Sequence, residues 1–110
     1  MSNKVAICFL VGAVVMSAMP SVLGQEGTAK RGEALLSKNC SRCHAIGRTG
    51  ASPHPVAPPF RTLSRKYPID GLAEALAEGL SVGHPDMPEF VFEPQDVNAI
   101  LNYLHSIQEK

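Results

Sequence analysis

The feature that most constrains this 110-residue chain is a short motif near its centre, Cys40-Ser41-Arg42-Cys43-His44. Two thiols at this spacing can each add to one vinyl group of a haem, which forms two thioether bonds. The adjacent histidine then lies under the porphyrin, where a ring nitrogen can bind the iron. The motif therefore predicts covalent attachment of one c-type haem through Cys40 and Cys43, with His44 as an iron ligand.

Three other uses of the cysteine pair compete with haem attachment. A thiol–disulfide redox motif usually lies at the start of a helix in a βαβ unit, whereas the predicted helix here precedes the pair. A structural zinc site needs four ligands, and the chain has no second C-x-x-C, although His54 and His84 could complete one. A simple structural disulfide is the third alternative. The all-helical pattern and the long loops described below favour haem.

The first 24 residues are typical of a secretory signal peptide. Lys4 precedes an apolar run over residues 5–16, Pro20 interrupts the run, and Gly24 precedes the expected cleavage site. The run is shorter than the roughly 20 residues of a membrane-spanning helix, so we expect cleavage; retention as a membrane anchor is the alternative. The mature chain is then residues 25–110, a single periplasmic domain.

The mature region contains four predicted helices and no clear strand alternation, which predicts an all-α fold. The segments are residues 28–38, residues 59–65, residues 70–80 and a last helix that begins at Pro94. The third and last segments each carry an apolar stripe at helical spacing, formed by Leu72, Ala73, Leu76, Ala77 and Leu80, and by Val97, Ile100, Leu101, Leu104 and Ile107. These stripes predict the faces that pack inward.

Two loops rich in proline and glycine separate the helices, at residues 47–59 and 81–93. Loops of this length in a small domain usually surround something. The second loop contains Met87, which is the only methionine after residue 24 and precedes Pro88. Prolines reduce the entropy that a loop loses when it is fixed, so Met87 is predicted as the second iron ligand, opposite His44. His84 is the alternative ligand, and His54 and His105 are expected at the surface.

The chain resembles the small class I cytochromes c, the monohaem electron carriers of bacteria. The resemblance spans residues 32–107. It rests on Gly32 and Leu36, on the C-x-x-C-H motif, on Ala57-Pro58-Pro59-Phe60, on Met87-Pro88 and on residues 100–104. It implies a cytochrome c fold, with about four short helices wrapped around a covalently bound haem. In this fold the first and last helices cross, which implies that Gly32 packs against Ile100 and Tyr103.

The resemblance also implies partners for the haem and its histidine. A proline carbonyl typically accepts the N–H of the iron-binding histidine, and Pro58 matches best, with Pro55 and Pro59 as alternatives. The tryptophan that packs on the haem in this family has no counterpart, since the chain contains no tryptophan. An aromatic residue is expected to replace it, from among Phe60, Tyr67, Phe90 and Phe92.

The implied function is one-electron transfer, without enzymatic activity of the chain's own. Expected partners are redox proteins, namely a periplasmic dehydrogenase, a reductase or a terminal oxidase, and the mature form is expected to be a monomer without a membrane span. Ten Lys/Arg balance ten Asp/Glu, which argues against nucleic acid as a partner. The alternatives are a ligand-binding or sensor cytochrome in which Met87 leaves the iron, and a cytochrome subunit of a dehydrogenase.

Charge is unevenly distributed along the mature chain. Residues 25–66 contain eight Lys/Arg and two Glu, a balance of +6, whereas residues 67–110 contain one Lys and eight Asp/Glu, a balance of −7. This pattern predicts a molecular dipole, with a basic side near the histidine ligand and an acidic side near the methionine. Solvated helix faces without such a role are the alternative explanation.

Overall fold

The computed structural model describes residues 12–18, 22–79 and 85–110. These residues form three α-helices and two 3-10 helices and contain no strand, which confirms the all-α prediction. The elements are α1 (Val22–Asn39), a first 3-10 helix (Phe60–Arg65), a second 3-10 helix (Ile69–Leu72), α2 (Ala73–Glu78) and α3 (Pro94–Ile107). Most of the predicted signal segment, and His84, lie outside the described residues. No helix among those described is both long enough and apolar enough to span a membrane.

Helix α1 is longer than the sequence predicted. It begins at Val22, and Thr28 is an interior residue whose Oγ1 donates a 2.7 Å hydrogen bond to the Gly24 carbonyl. The predicted helix start at residue 28 is therefore wrong. The helix ends at Asn39, whose side-chain nitrogen donates to the Leu35 carbonyl at 2.8 Å. This end delivers the chain directly into the cysteine motif.

Helices α1 and α3 cross at Gly32. A Cβ added at Gly32 would overlap the Ala99 carbonyl oxygen and lie 3.0 Å from the Ile100 nitrogen. The backbones of the two helices therefore touch, and only glycine permits this approach. The predicted contact with Ile100 is confirmed; the other neighbour is Ala99, and Tyr103 is not among the nearest atoms.

Helix α3 supplies most of the core. It begins with Pro94. Proline suits this position because a backbone N–H in the first turn would have no partner within the helix. Asp96 also lies in the first turn, where the helix dipole favours a negative charge. Leu101, predicted to be buried, is only partly so. The residues that α3 buries are Val97, Ala99, Ile100, Tyr103, Leu104 and Ile107. Four of them form one hydrophobic cluster with Leu36, Phe60 and Ile69; they are Ile100, Tyr103, Leu104 and Ile107.

The predicted helix over residues 70–80 forms as two pieces, the second 3-10 helix and α2. Helix α2 ends at Glu78, and the following Gly79 has a φ of +112°, which suits glycine. Leu72 and Leu76 are only partly buried, and Ala77 is exposed, contrary to the predicted apolar stripe. The two leucines are incompletely covered because they line a cavity.

Candidate functional site

A cavity of about 920 Å³ lies between the cysteine motif, the two loops and the helices. Leu36 contributes from α1, Leu72 and Leu76 from the region of α2, and Ile100 and Leu104 from α3. Its walls are mainly apolar, and its volume is within the range of about 300–1,000 Å³ typical of sites for small molecules and cofactors. The helices thus pack around a space large enough for a cofactor.

The cysteine motif forms a tight turn directly after α1. The Cys40 amide donates to the Leu36 carbonyl at 2.8 Å, and the Cys43 and His44 amides donate to the Cys40 carbonyl at 3.1 and 2.9 Å. Cys40, Cys43 and His44 all line the cavity. The turn therefore brings the two thiols and the imidazole, predicted as one site, to the same wall.

Both motif cysteines are free thiols. Burial, with a smaller contribution from Cys43, raises the pKa of Cys40 to about 11. Thiol–disulfide oxidoreductases attack through a thiolate whose pKa is lowered, whereas the pKa of Cys40 shifts in the opposite direction. Two unlinked thiols at the edge of an apolar cavity instead suit addition to an apolar cofactor.

The imidazole of His44 is held from one side. Its Nδ1 donates to the Pro58 carbonyl at 2.8 Å, which confirms Pro58 among the three candidate prolines. With the proton on Nδ1, Nε2 carries a lone pair that can bind a metal. The Phe60 ring packs against the imidazole, with 4.6 Å between ring centroids, and the Phe60 amide donates to the Ala45 carbonyl at 2.9 Å. These contacts fix the ring orientation.

The segment that carries Met87 forms another part of the cavity wall. Met87 is half-buried and lines the cavity, as do Phe90 and Phe92, whose rings stack at 6.1 Å. The Phe92 amide donates to the Leu76 carbonyl at 2.9 Å, which holds the segment against α2. All four aromatic residues considered as replacements for the missing tryptophan line the cavity, since Phe60 and Tyr67 do so as well.

Tyr103 joins α3 to the chain just after the motif. Its hydroxyl donates to the Ile46 carbonyl at 2.9 Å. Burial and the nearby Glu33 carboxylate raise the pKa of Tyr103, although Arg48 opposes the shift. The hydroxyl therefore stays protonated, as this hydrogen bond requires.

The histidines outside the motif have different surroundings. The expectation that His54 lies at the surface is wrong, because its side chain is only 26 % exposed and lines the cavity. Only its position in a long proline-rich loop could have indicated this. His105 is 51 % exposed, as predicted, and pairs with Asp70 at 2.7 Å. Within the described part of the chain, no three His, Cys, Asp or Glu residues are grouped as a metal site.

Comparison with known proteins assigns the family. The family model for cytochrome c matches residues 29–108, which is most of the chain. The chain belongs to the cytochrome c family. A relative in Synechocystis, described as cytochrome c-553-like, is 30 % identical over 86 residues, which cover 78 % of this chain and 75 % of that protein. No solved structure matches the chain significantly.

The cytochrome c family binds covalent c-type haem and transfers electrons, so this cytochrome is an electron carrier with one such haem. The residues around the cavity fit that group. Cys40 and Cys43 offer free thiols, His44 has Nε2 available for iron, and the remaining wall is mainly apolar. Haem binding would cover the partly exposed leucines of the α2 region.

Ion pairs reduce the charge separation predicted from the sequence. Arg31 pairs with Asp96 at 2.5 Å, and Arg61 and Arg65 pair with Glu109 at 3.0 and 2.6 Å. These pairs join the basic residues 25–66 to the acidic residues 67–110. The other basic side chains of residues 25–66 form no ion pair within the described residues; they are Lys30, Lys38, Arg42, Arg48 and Lys66. Arg42 and Lys66 line the cavity, so unpaired positive charge lies beside it.

Proposed function

We propose that this cytochrome c is an exported one-electron carrier whose haem iron is bound by His44 and Met87. The observation that carries the proposal is that both side chains line the cavity that Cys40 and Cys43 also line, although they belong to separate segments of the chain. An imidazole and a thioether from two segments are the ligand pair of a six-coordinate haem.

When bound, the haem supplies an iron that alternates between the ferric and ferrous states. The chain's own residues set the conditions for that change. His44 presents Nε2 because Pro58 holds Nδ1, and the Met87 thioether favours the ferrous state and so raises the reduction potential. The apolar side chains around the cavity exclude water, and two protein ligands leave no position for oxygen or a substrate.

An absorption spectrum of the ferric protein tests the ligation. Sulfur ligation gives a sulfur-to-iron charge-transfer band, so the natural chain is expected to show this band and Met87→Ala to lose it while keeping its covalent haem. His105→Ala, which removes an exposed histidine paired with Asp70, is the matched control and keeps the band. A band that persists in Met87→Ala would exclude Met87 as the ligand.

A ligand-binding or sensor cytochrome is the alternative function. In that case Met87 leaves the iron readily, and the ferrous protein binds carbon monoxide at neutral pH. The carrier proposal expects no carbon monoxide adduct in the natural chain and an adduct in Met87→Ala. The two functions therefore predict opposite results for the unaltered protein.

Export to the periplasm is part of the proposal, with residues 1–24 removed and residues 25–110 as the mature cytochrome domain. The apolar run at residues 5–16 after Lys4 supports it. The mass of the protein recovered from the periplasm is expected to correspond to a chain that begins at Gln25 and carries one haem. A chain of full length in the membrane fraction would instead indicate an uncleaved anchor.

The proposed partners are redox proteins of the periplasm, namely a dehydrogenase, a reductase or a terminal oxidase. Arg42 and Lys66 at the cavity support docking of an acidic partner surface there by a monomeric carrier. Electron-transfer rates with the partner are then expected to fall as ionic strength rises, because salt screens the attraction. Rates independent of ionic strength would contradict electrostatic steering.

A further inference from the structure

A side-chain contact joins the two loops that border the cavity. His54 belongs to the loop at residues 47–59, and its Nε2 lies 3.3 Å from Oδ2 of Asp86. Asp86 directly precedes Met87, and both members of the pair line the cavity. The contact therefore connects the loop that follows the haem motif to the segment that carries the proposed methionine ligand.

The His54 ring is oriented from its own side of the cavity. Its backbone amide donates to the Cys43 carbonyl at 3.1 Å, and its carbonyl accepts a hydrogen bond from the Ala57 amide at 3.2 Å. The Val56 amide lies 3.3 Å from ring Nδ1 and donates to it. Because Nδ1 accepts, Nε2 carries the proton and donates it to Asp86. The backbone that follows the haem motif thus fixes both the position and the tautomer of His54.

The segment at residues 85–93 is held at a second point beyond Met87. The Phe92 amide donates to the Leu76 carbonyl at 2.9 Å, which ties the far end of the segment to α2. The contact with His54 lies on the other side of Met87, one residue before it. Met87 is therefore placed between two attachments, one to α2 and one to the loop of the haem motif.

We propose that His54 is a positioning residue for Met87: by holding Asp86, it keeps the methionine segment closed over the cavity. This inference rests on the proposed ligation by His44 and Met87. Asp86 is 67 % exposed, so the contact resembles a surface pair and is expected to change the open–closed equilibrium of the segment about two- to fivefold.

Limited proteolysis of the holoprotein tests the closed segment without relying on ligation. A glutamate-specific protease can cleave after Glu89, and cleavage within a folded segment follows its local opening. His54→Ala and Asp86→Ala are each expected to speed cleavage after Glu89 about two- to fivefold. His54→Gln retains an N–H donor and is expected to approach the natural rate. Cleavage after Glu33 in α1 is the internal reference and is expected to be unchanged.

Another His–Asp pair among the described residues provides a matched control. His105 and Asp70 lie 2.7 Å apart on the exterior, and neither lines the cavity. His105→Ala removes the same chemistry from another place and is expected to leave cleavage after Glu89 unchanged. A double variant of His54→Ala and Asp86→Ala is expected to change the cleavage rate by less than the product of the two single effects, since the His54–Asp86 contact is already lost in each single variant.

Displacement of the methionine by added imidazole gives the second readout. In the ferric holoprotein, imidazole binds iron only when Met87 has left, so loss of the sulfur-to-iron band reports segment opening. His54→Ala is expected to lower the imidazole concentration at half-displacement about two- to fivefold, and His105→Ala to leave it unchanged.

Three results would overturn the positioning role. The first is a cleavage rate after Glu89 and an imidazole midpoint in His54→Ala that equal those of the natural chain. The second is an equal change of these quantities in His54→Ala and His105→Ala. The third is a double variant in which the two single effects on the cleavage rate multiply in full. Absence of the sulfur-to-iron band from the natural chain would instead overturn Met87 ligation, while the rate of cleavage after Glu89 still decides whether His54 holds the segment.

Discussion

The α1–α3 crossing and the cavity side of this cytochrome are packed in different ways. At the crossing, the backbone of α1 at Gly32 touches α3, and Ala99 and Ile100 are fully buried by protein atoms alone. On the cavity side, Leu72, Leu76 and Met87 are only partly buried and face a space of about 920 Å³. The crossing is fully packed by protein atoms, whereas the side chains on the cavity side line a space that a cofactor can fill.

This difference explains how a small domain of this kind becomes stable. A small domain buries only a limited fraction of its surface, and helices packed at one crossing do not make a full core. The hydrophobic effect on the cavity side is realised only when an apolar group covers the lining. We therefore expect stability to depend on both the crossing and the haem, through separate residues.

The largest effect is expected from removing haem attachment. Cys40→Ala with Cys43→Ala prevents thioether formation, so no covalent holoprotein accumulates and the helices do not pack stably. The measurement is haem content together with protease resistance after periplasmic expression. Ser41→Ala leaves both thiols in place and is the control. A well-folded, protease-resistant chain without haem would contradict the incomplete core.

A large effect is also expected at the crossing. In Gly32→Val the new side chain would overlap the Ala99 carbonyl, which forces α1 and α3 apart and lowers the free energy of unfolding by about 3 kcal/mol. Guanidinium unfolding of the holoprotein measures it. The control is Gly47→Ala, where nothing lies within 4 Å of the added atom, and its change is expected to stay within about 0.5 kcal/mol. Equal stability of the two variants would refute the close crossing.

The smallest effect is expected where the two regions meet. Tyr103→Phe keeps the buried ring but removes the hydrogen bond to the Ile46 carbonyl, which joins α3 to the chain after the motif. The expected loss is about 0.5–1.5 kcal/mol in the free energy of unfolding, with an unchanged haem spectrum. A shift in the spectrum would show that this bond also governs the haem site.

Local features of the site could be predicted from the sequence because they depend on residues close together in the chain. The cysteine motif, the apolar face of the last helix and the loops needed only spacing and composition. Pro58 could be proposed by resemblance but not separated from Pro55 and Pro59, since all three lie in one irregular segment. The hydrogen bond from His44 distinguishes them.

Features that depend on distant residues could not be predicted. His54 and Asp86 are 32 residues apart, and no pattern links them. The partial exposure of Leu76 was not evident from the apolar stripe, because Leu72 and Leu76 line a cavity that the sequence does not show. The ion pairs of Arg31, Arg61 and Arg65 with the acidic residues 67–110 depend on tertiary packing in the same way.

The most direct test of a core completed by covalent haem is the intact mass of the denatured protein after periplasmic expression, together with its haem spectrum under denaturing conditions. The account predicts a mass equal to residues 25–110 plus one haem, and a spectrum typical of haem joined by two thioether bonds. A haem-free chain with both Cys40 and Cys43 open to alkylation, from cells with a working attachment system, would contradict it.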